Sequence, residues 1–438
     1  MNLQSHDTPA SRRCIPGLLL VFLLAAHGNT EADTRILSRD EAIRIAFREN
    51  HEIGLATLEI DRAKARLRWS GRLDNPELEI STSTDKIGND ENEGNFEVAF
   101  TQAFPLTSRL KQERHLRRHQ VILAEAEIAE RRRQLAGEVD LALVELLMVR
   151  EKIAVANQLV GLNETMTDFL ETQVKQGIVS SLDVMQAKLS ARTLEQQAKA
   201  LATEETHHLL ALNKLLGLDP ETPFRSGESP RLPASRPTIE VSLKTVLSRR
   251  PDYVLALSRI DETAAALALE EAKRWEDVSL RLFVEQDDAV DLPEGFDGNT
   301  FAGFGISIPL PLRDRNQEGI EQARINREAA GKEVEASRFH IRAECEEAFH
   351  ERTDSWELAR EASGEILSLA EKNEAEFRKA YQQGQASLLQ VQRAQEQVLE
   401  LKNASIEFLA NYHRAAARVR LATGSYPGLS VESGKSPK

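Results

Sequence analysis

Two short segments with the same pattern divide this chain and predict that it folds as two copies of one hairpin. Residues 176–183 read Gln-Gly-Ile-Val-Ser-Ser-Leu-Asp, and residues 383–390, which lie 207 positions later, read Gln-Gly-Gln-Ala-Ser-Leu-Leu-Gln. In each segment a glycine stands where a helix ends in a left-handed residue, and a serine three positions on can cap the next helix. Asp183 or Gln390 would then complete a capping box. Long helices are therefore expected to reverse direction at both segments, which we call the first and second tips.

The helices that follow the two tips carry the same row of mostly apolar residues at alternating spacings of three and four. After the first tip the row is Val184, Ala187, Ala191, Leu194, Ala198, Leu201, Glu205, His208, Leu212 and Leu215. After the second tip it is Val391, Ala394, Val398, Leu401, Ser405, Phe408, Tyr412, Ala415, Val419 and Ala422. Every pair keeps the same offset of 207. This predicts two structural repeats, at residues 33–217 and 240–424, joined by a proline-rich linker at 218–239.

Very long helices are predicted before both tips. No proline interrupts the helical pattern from residue 107 to 176, and a second such helix is predicted over 313–383. About 70 residues at 1.5 Å each span on the order of 100 Å, so each helix must pack along its length against similar helices. Each repeat also opens with a helix, predicted at 38–71 and at about 240–275. The charged share of 29% suits exposed helices, and the net charge of −14, spread along them, shows no nucleic-acid footprint.

Four segments alternate between apolar and polar residues and predict strands with one apolar face. They are residues 76–84, 95–104, 278–285 and 301–308, and the last two are separated by an acidic, turn-rich loop at 287–299. In a bilayer such a sheet must close, because an open edge leaves backbone groups unpaired. Four strands cannot close a barrel, so copies of the chain would have to combine, and three copies would supply twelve strands. The alternative is a soluble sandwich.

The first 32 residues read as a secretory signal peptide. Arg12 and Arg13 precede an apolar run over 15–26, and small residues follow it. No later segment approaches the roughly 20 apolar residues of a membrane-spanning helix. Cys14 would leave with the signal, so Cys345 alone would remain in the mature chain. Residues 425–438 are predicted to form a disordered tail.

Several short motifs, in order and duplicated, resemble those of the TolC-type outer-membrane efflux family over about residues 38–424. They are Asn75-Pro76-Glu77-Leu78 before the first strand, Gln102-Ala103-Phe104-Pro105-Leu106 after the second, Ile308-Pro309-Leu310-Pro311-Leu312, and the two tips. The resemblance implies a mainly α fold with a small β portion, in which three chains form a twelve-stranded outer-membrane β-barrel continuous with a periplasmic α-helical barrel. It also implies a passive exit duct that works with a periplasmic adaptor and an inner-membrane pump, of the RND type.

Two departures and one branch likeness refine this resemblance. His51 stands where the family often has proline in an Asn-Pro-Glu/Asp turn, and the lipid-modified cysteine of many relatives is absent, which leaves anchoring to the barrel alone. The segment 308–312 followed by Arg315-Asn316-Gln317-x-Gly319 is most similar to the branch that serves cobalt-zinc-cadmium or copper-silver exporters. Multidrug or other small-molecule cargo is the competing interpretation. A periplasmic adaptor or coiled-coil scaffold is the alternative from another class, although an adaptor should carry one hairpin rather than two.

Candidate functional residues lie at the tips. The local role of Gly177, Ser180, Gly384 and Ser387 is turn formation, and the resemblance implies that an adaptor docks at the same apices.

Two carboxylates lie on the helix that approaches the second tip, where the family carries an acidic constriction. These are Glu371 and Glu374, and a ring of them repeated by symmetry would favour cations. A solvated charged face is the alternative interpretation.

Histidines offer the one candidate for metal binding in the sequence. His115 and His119 face the same way on a helix and could share a metal, but no cysteine or carboxylate stands at ligand spacing, so surface or interface histidines are expected. We therefore predict no metal site and no cofactor. The sequence has no nucleophile elbow, phosphate loop or paired-carboxylate signature, which predicts that the protein is not an enzyme.

Overall fold

The computed structural model describes residues 35–84, 93–226, 230–238, 241–291 and 295–429. The predicted signal peptide and the end of the predicted tail lie outside these ranges. The described elements, in chain order, are β1 (Arg35–Leu37), α1 (Arg39–Glu49), α2 (His51–Trp69), β2 (Glu77–Thr84), β3 (Gly94–Phe104), α3 (Arg109–Lys175), α4 (Ser181–Leu216), β4 (Phe224–Ser226), α5 (Leu243–Arg249), α6 (Pro251–Ala272), β5 (Val278–Asp291), β6 (Gly295–Ser307), α7 (Gln317–Ala362), α8 (Glu365–Gln382) and α9 (Leu388–Thr423).

Both predicted hairpins are present, and they differ in one respect. The first is α3 followed by α4, and α3 is a single helix of 67 residues, as predicted. The predicted single helix over 313–383 is wrong, because it is broken between α7 and α8. At the break Gly364 has φ −92° and ψ −132°, and the Ser363 hydroxyl donates a 2.8 Å hydrogen bond to the carbonyl of Ala359. Glycine has a low helix propensity and a serine hydroxyl competes for backbone partners, so the helix stops here.

The opening helix of each repeat is also broken, contrary to prediction. Asn50 separates α1 from α2, since its side-chain oxygen accepts hydrogen bonds from the backbone N–H groups of Glu52 and Ile53 at 2.9 and 3.1 Å. In the second repeat Arg250 separates α5 from α6, which begins at Pro251. Proline is favoured in a first turn and disfavours helical backbone in the residue before it.

The breaks at Asn50 and Arg250 each lie against the end of the helix that follows a tip, which is α4 in the first repeat and α9 in the second. A Cβ atom on Gly217, which ends α4, would collide with the carbonyl of Glu49, and one on Gly424, which ends α9, would lie 3.1 Å from the carbonyl oxygen of Arg249. Both glycines are left-handed, with φ of 70° and 64°. The two repeats therefore close their hairpins on their opening helices in the same way.

The four predicted strands form one antiparallel sheet in the order β2-β3-β5-β6. The strands β5 and β6 are longer than predicted, since they pair from Ser279 with Ser307 to Asp291 with Gly295. The predicted loop at 287–299 is therefore mostly strand. A second, parallel pair was not predicted: it joins β1, at the start of the first repeat, to β4, which lies in the proline-rich linker.

The interior is a series of separate clusters along the helices. The largest described cluster lies where α1 packs on α3 and α4, and it includes Tyr426 and Leu429, which are 6% and 5% exposed. The prediction of a disordered tail is therefore wrong for residues 425–429. The physical reason is that two large side chains reach this core.

Candidate functional site

One face of the β2-β3-β5-β6 sheet is apolar and exposed. Strand register aligns its side chains in rows that cross all these strands, and one row consists of Leu78, Phe100, Leu282 and Phe304. Leu78 and Phe304 are 66% and 74% exposed, and Ile80, in the next row, is 64% exposed. Within the described ranges no element covers this face. The sheet therefore presents an apolar surface outward.

The opposite face of the sheet is mainly polar, and on β3 and β5 its side chains are less exposed than those of the apolar face. Arg281 donates a hydrogen bond to Glu97 and lies 3.6 Å from the carboxylate of Glu79. Across the same face Phe283 packs on Gly303, where a Cβ atom would lie 2.6 Å from the phenyl ring. A sheet in water normally covers its apolar face, whereas this one leaves its apolar face exposed. That inversion is typical of a wall that separates lipid from an aqueous lumen.

Both edges of this sheet pair on one side only. In the described part of the chain, β2 pairs with β3 alone and β6 pairs with β5 alone. An unpaired edge is tolerated in water, but each unsatisfied backbone group costs several kcal/mol in hydrocarbon. The apolar face and the open edges together require further strands if the sheet lies in a bilayer.

The tips have the predicted turn chemistry. Gly177 and Gly384 have φ of 73° and 72°. At each tip, the backbone N–H groups of the glycine and of the next residue donate hydrogen bonds of 2.8 to 3.0 Å to carbonyls in the last turn of the preceding helix. This arrangement is a Schellman motif. Ser387 forms a capping box with Gln390, as predicted. Ser180 accepts instead from the N–H of Leu182 at 3.1 Å, so the predicted box with Asp183 is wrong.

The first tip carries an exposed apolar patch that was not predicted. Ile178, Leu182, Met185 and Leu189 are each between 62% and 70% exposed. The spacing of Leu182, Met185 and Leu189 is helical, and it lies on the side of α4 opposite to the buried row, which is the signal that could have revealed it. We call these four residues the apical patch.

The two acidic candidates near the second tip differ in environment. The carboxylate of Glu371 lies 3.0 Å from the ammonium of Lys402 on α9 and its side chain is 49% exposed. The side chain of Glu374 is 11% exposed and its carboxylate lies 3.8 Å from Arg378. Each carboxylate thus has a basic neighbour, and their role in a constriction stays a prediction.

The branch motif Arg315-Asn316-Gln317-x-Gly319 forms the turn that leads from the sheet into α7. Asn316 is left-handed, with φ 56°, and its side-chain amide donates to the carbonyl and the carboxylate of Glu270 at 2.9 and 2.7 Å. A Cβ atom on Gly319 would collide with the side-chain oxygen of Asn316. Burial raises the pKa of Glu270. The hydrogen bonds from Lys273 and Asn316 lower it by more, so the net pKa of Glu270 is below the usual range. The motif therefore fixes the direction in which α7 leaves the sheet.

The pair of His115 and His119 lies near the start of α3. Their Nε2 atoms are 3.3 Å apart and the rings are nearly perpendicular. Burial, and then the neighbouring His115, lower the pKa of His119. Among the residues that the structure describes, no group of three or more histidine, cysteine, aspartate or glutamate side chains is arranged to hold a metal ion.

Buried charges join the ends of the hairpins to the opening helices. Asp140 is fully buried and lies 2.9 Å from Arg39 and 2.7 Å from Arg420, and it accepts a hydrogen bond from the hydroxyl of Tyr426 at 3.2 Å. Burial, followed by the charge of Asp140, raises the pKa of Tyr426.

The second repeat has its own buried charge cluster. Arg250 lies 2.6 Å from Asp252 and 2.8 Å from Glu344, and it donates to the carbonyl of Ala422 at 2.7 Å. Burial lowers the pKa of Arg250. The hydrogen bonds to Asp252 and Glu344 raise it by more, so the net pKa of Arg250 is above its usual value.

The sequence of this chain is similar to those of known outer-membrane efflux proteins. The sequence model of a family described as outer membrane efflux protein matches residues 42–218 and 243–425. The cobalt-zinc-cadmium resistance protein CzcC of Cupriavidus metallidurans is 21% identical over 385 residues, which cover 87% of this chain and 89% of CzcC.

None of the helices in the described ranges combines the length and the apolar character needed to cross a membrane.

Solved structures share the fold. A structure of CusC has a TM-score of 0.70 at 18% identity and covers 91% of this chain and 95% of CusC. The CmeC outer membrane channel of Campylobacter jejuni has a TM-score of 0.68 at 14% identity and covers 96% of this chain and 94% of CmeC. VceC of Vibrio cholerae has a TM-score of 0.66 at 18% identity and covers 88% of this chain and 96% of VceC.

Proposed function

Because this chain belongs to the outer membrane efflux protein family, we propose that it is the exit duct of a tripartite efflux pump in the outer membrane. The duct is a passive conduit without catalytic activity, so the energy for export comes from an inner-membrane partner. The adaptor alternative is not supported, because the family match covers both repeats and each repeat supplies a strand pair and a hairpin.

One observation carries the proposal: one face of the sheet is apolar and exposed, and the ion pair of Arg281 and Glu97 lies on the opposite face. A soluble sandwich, which was the alternative, would cover the apolar rows with its own core. Transfer of this face into hydrocarbon is favourable, at roughly 25 cal/mol per Å² of apolar surface removed from water.

Three copies would complete the wall. The edges β2 and β6 are different surfaces, so pairing β6 of one protomer with β2 of the next is a heterologous contact that closes by rotation. Three such sheets give about twelve strands, which lies within the size range of outer-membrane barrels. The helical hairpins would then continue the lumen into the periplasm. We propose a homotrimer on these grounds.

The partners are a periplasmic adaptor at the tips and, through it, an inner-membrane pump. The apical patch supports this assignment, because four large apolar side chains at 62% to 70% exposure are costly in water unless another protein covers them. Gly177, Ser180, Gly384 and Ser387 would hold the apices in shape for that contact.

We propose heavy-metal cations as the cargo. CzcC is named for cobalt, zinc and cadmium resistance, and the branch motif around Asn316 forms an ordered turn here. A ring of Glu371 and Glu374 repeated by symmetry would favour cations near the second tip wherever its negative charge exceeds the positive charge of Lys402 and Arg378. Small-molecule efflux by the same duct is the second candidate, since channels of this fold include CmeC and VceC.

A pair of adjacent substitutions in β2 tests the wall. Ile80 lies on the apolar face and Ser81 on the polar face of the same strand. The change Ile80→Lys should cost about 2–4 kcal/mol if the side chain meets lipid, whereas Ser81→Lys should be tolerated in an aqueous lumen. We expect I80K to reduce the heat-modifiable trimer in the outer-membrane fraction several-fold, and S81K to leave it near the level of the unmodified protein.

The matched pair separates lipid exposure from general damage, because both changes add the same side chain at neighbouring positions. Equal amounts of trimer for I80K and S81K, or recovery of the unmodified protein as a soluble monomer, would contradict the membrane assignment.

A further inference from the structure

A pair of imidazoles on α3 has its Nε2 atoms at the spacing found in a metal chelate. His115 and His119 stand one turn apart on the same helix face, four residues from each other, and their Nε2 atoms are 3.3 Å apart. His115 is exposed and His119 is half-buried. Both side chains are therefore accessible to a solute ion in the isolated chain.

The separation of the two nitrogens is close to the one that a tetrahedral ion requires. Zinc binds histidine nitrogen at about 2.0–2.1 Å, and two such ligands at a tetrahedral angle lie about 3.3 Å apart. The same 3.3 Å contact is a hydrogen bond between the two imidazoles, so metal binding would replace the shared proton and turn both lone pairs towards the ion. Because the backbone of a long helix already fixes the spacing, little ordering entropy opposes binding.

The surroundings of the pair contain both signs of charge. Asp261 and Glu262 of α6 act electrostatically on His119, and Arg118 opposes them. Glu262 is also hydrogen-bonded to the side chain of Gln120 at 3.1 Å. A cavity of about 290 Å³ next to His115 is lined by Lys111, Gln112, Arg114 and Arg118 and has room for coordinated water. These basic groups oppose a cation, and salt at physiological ionic strength weakens such opposition mainly at distances beyond about 8 Å.

We propose that His115 and His119 bind one borderline divalent cation per chain through their Nε2 atoms, with water completing the coordination. Imidazole nitrogens suit zinc, copper and nickel, and first-row affinities rise towards copper. No third protein ligand is available in the described ranges, so this is an exchangeable binding site rather than a closed structural one. The inference rests on helix geometry and goes beyond the duct function.

The test measures Zn²⁺ binding to the full chain, purified in detergent with an affinity tag that contains no histidine, by equilibrium dialysis at pH 7.5. We expect one site per chain that H115A and H119A each weaken at least about tenfold, because a lone imidazole loses the effective concentration of the second ligand. Cu²⁺ should bind the unmodified chain more tightly than Zn²⁺ does.

Two controls keep the assignment specific. His207→Ala should leave binding unchanged, since His207 and His208 are adjacent on a helix and do not face each other. The double variant H119A/Q120H keeps the number of histidines but changes their spacing from four to five, and it should bind as weakly as H119A. Unchanged Zn²⁺ binding in H115A and H119A would overturn the proposal, as would full binding by the double variant.

Failure of this test would leave the proposed function intact. The dialysis experiment reports on two side chains of α3, whereas the I80K and S81K comparison reports on assembly in the membrane.

Discussion

At the scale of single residues, the structure separates local signals from long-range ones. The tip residues Gly177 and Gly384 were predictable, because a left-handed residue at a helix end is decided within one turn of chain. Asp140 was not predictable. Its partners Arg420 and Tyr426 lie 280 and 286 positions away, and no local pattern announces that they meet. The sequence also shows His115 and His119 only as a spacing, whereas the 3.3 Å separation of their nitrogens needs coordinates.

Replacement of Asp140 should destabilise the base of the first hairpin. Asp140→Asn keeps the side-chain volume but removes the charge that Arg39 and Arg420 share. We expect a loss of about 2 kcal/mol, because charge-assisted hydrogen bonds to a buried carboxylate are lost. The measurement is the apparent melting temperature of the helical circular dichroism signal in detergent, which should fall by several degrees.

The control for this change is Glu328→Gln. Glu328 forms an exposed pair with Lys332 one turn away, and such pairs contribute little. A melting temperature for D140N equal to that of E328Q would show that the Asp140 cluster has no stabilising role.

At the scale of elements, prediction succeeded where periodicity is long and failed at the breaks. The four strands and the helix α3 were found because alternation and heptad spacing persist over many residues. The breaks at Asn50, Arg250 and Gly364 interrupt helices whose apolar pattern continues across them, so periodicity alone cannot see them. The pair of β1 and β4 was missed because strands of three residues carry no readable period.

The tips allow turn formation to be separated from partner docking. A Cβ atom at Gly384 would meet no atom within 4 Å, so only its φ of 72° restricts substitution. Gly384→Asn should keep the turn, because asparagine tolerates the left-handed region, whereas Gly384→Ala should cost about 1 kcal/mol or more. We expect amide hydrogen exchange in the first turn of α9 to accelerate in G384A and to change little in G384N.

Efflux by the G384N variant then reports on docking. If the apex contacts an adaptor, G384N should reduce export while its exchange pattern stays normal. Normal export by G384N and reduced export by G384A would indicate that the glycine serves the turn alone.

At the scale of the whole molecule, the sheet and the hairpins have opposite solvent requirements. The hairpins carry charged residues outward and suit water, whereas the apolar rows of the sheet suit lipid. The sequence indicated this division through its change of period, but the register that aligns Leu78 with Phe100, Leu282 and Phe304 came only from the structure. In the proposed homotrimer, closure of the wall would involve other copies of the chain, so it is a property of the assembly.

The cargo is a property of that assembly, and it can be tested in cells. A deletion strain and its complemented parent should be grown on cobalt, zinc, cadmium, copper and silver salts and on a panel of drugs. If metal cations are the cargo, deletion should lower tolerance to one or more of the metals by at least about fourfold. Drug tolerance should stay within about twofold of the parent. The reverse pattern would favour small-molecule efflux.

We expect the break at Ser363 and Gly364 to make the arm before the second tip more flexible than the arm before the first tip. The arm made by α3 is one continuous rod, whereas the arm made by α7 and α8 is two rods joined at a single turn. In a ring of such protomers, the continuous helix α3 and the jointed pair of α7 and α8 would alternate around the cylinder. A force applied at the tips would bend the jointed helices α7 and α8 first. The opening would then widen unevenly, as a lobed aperture rather than a circle.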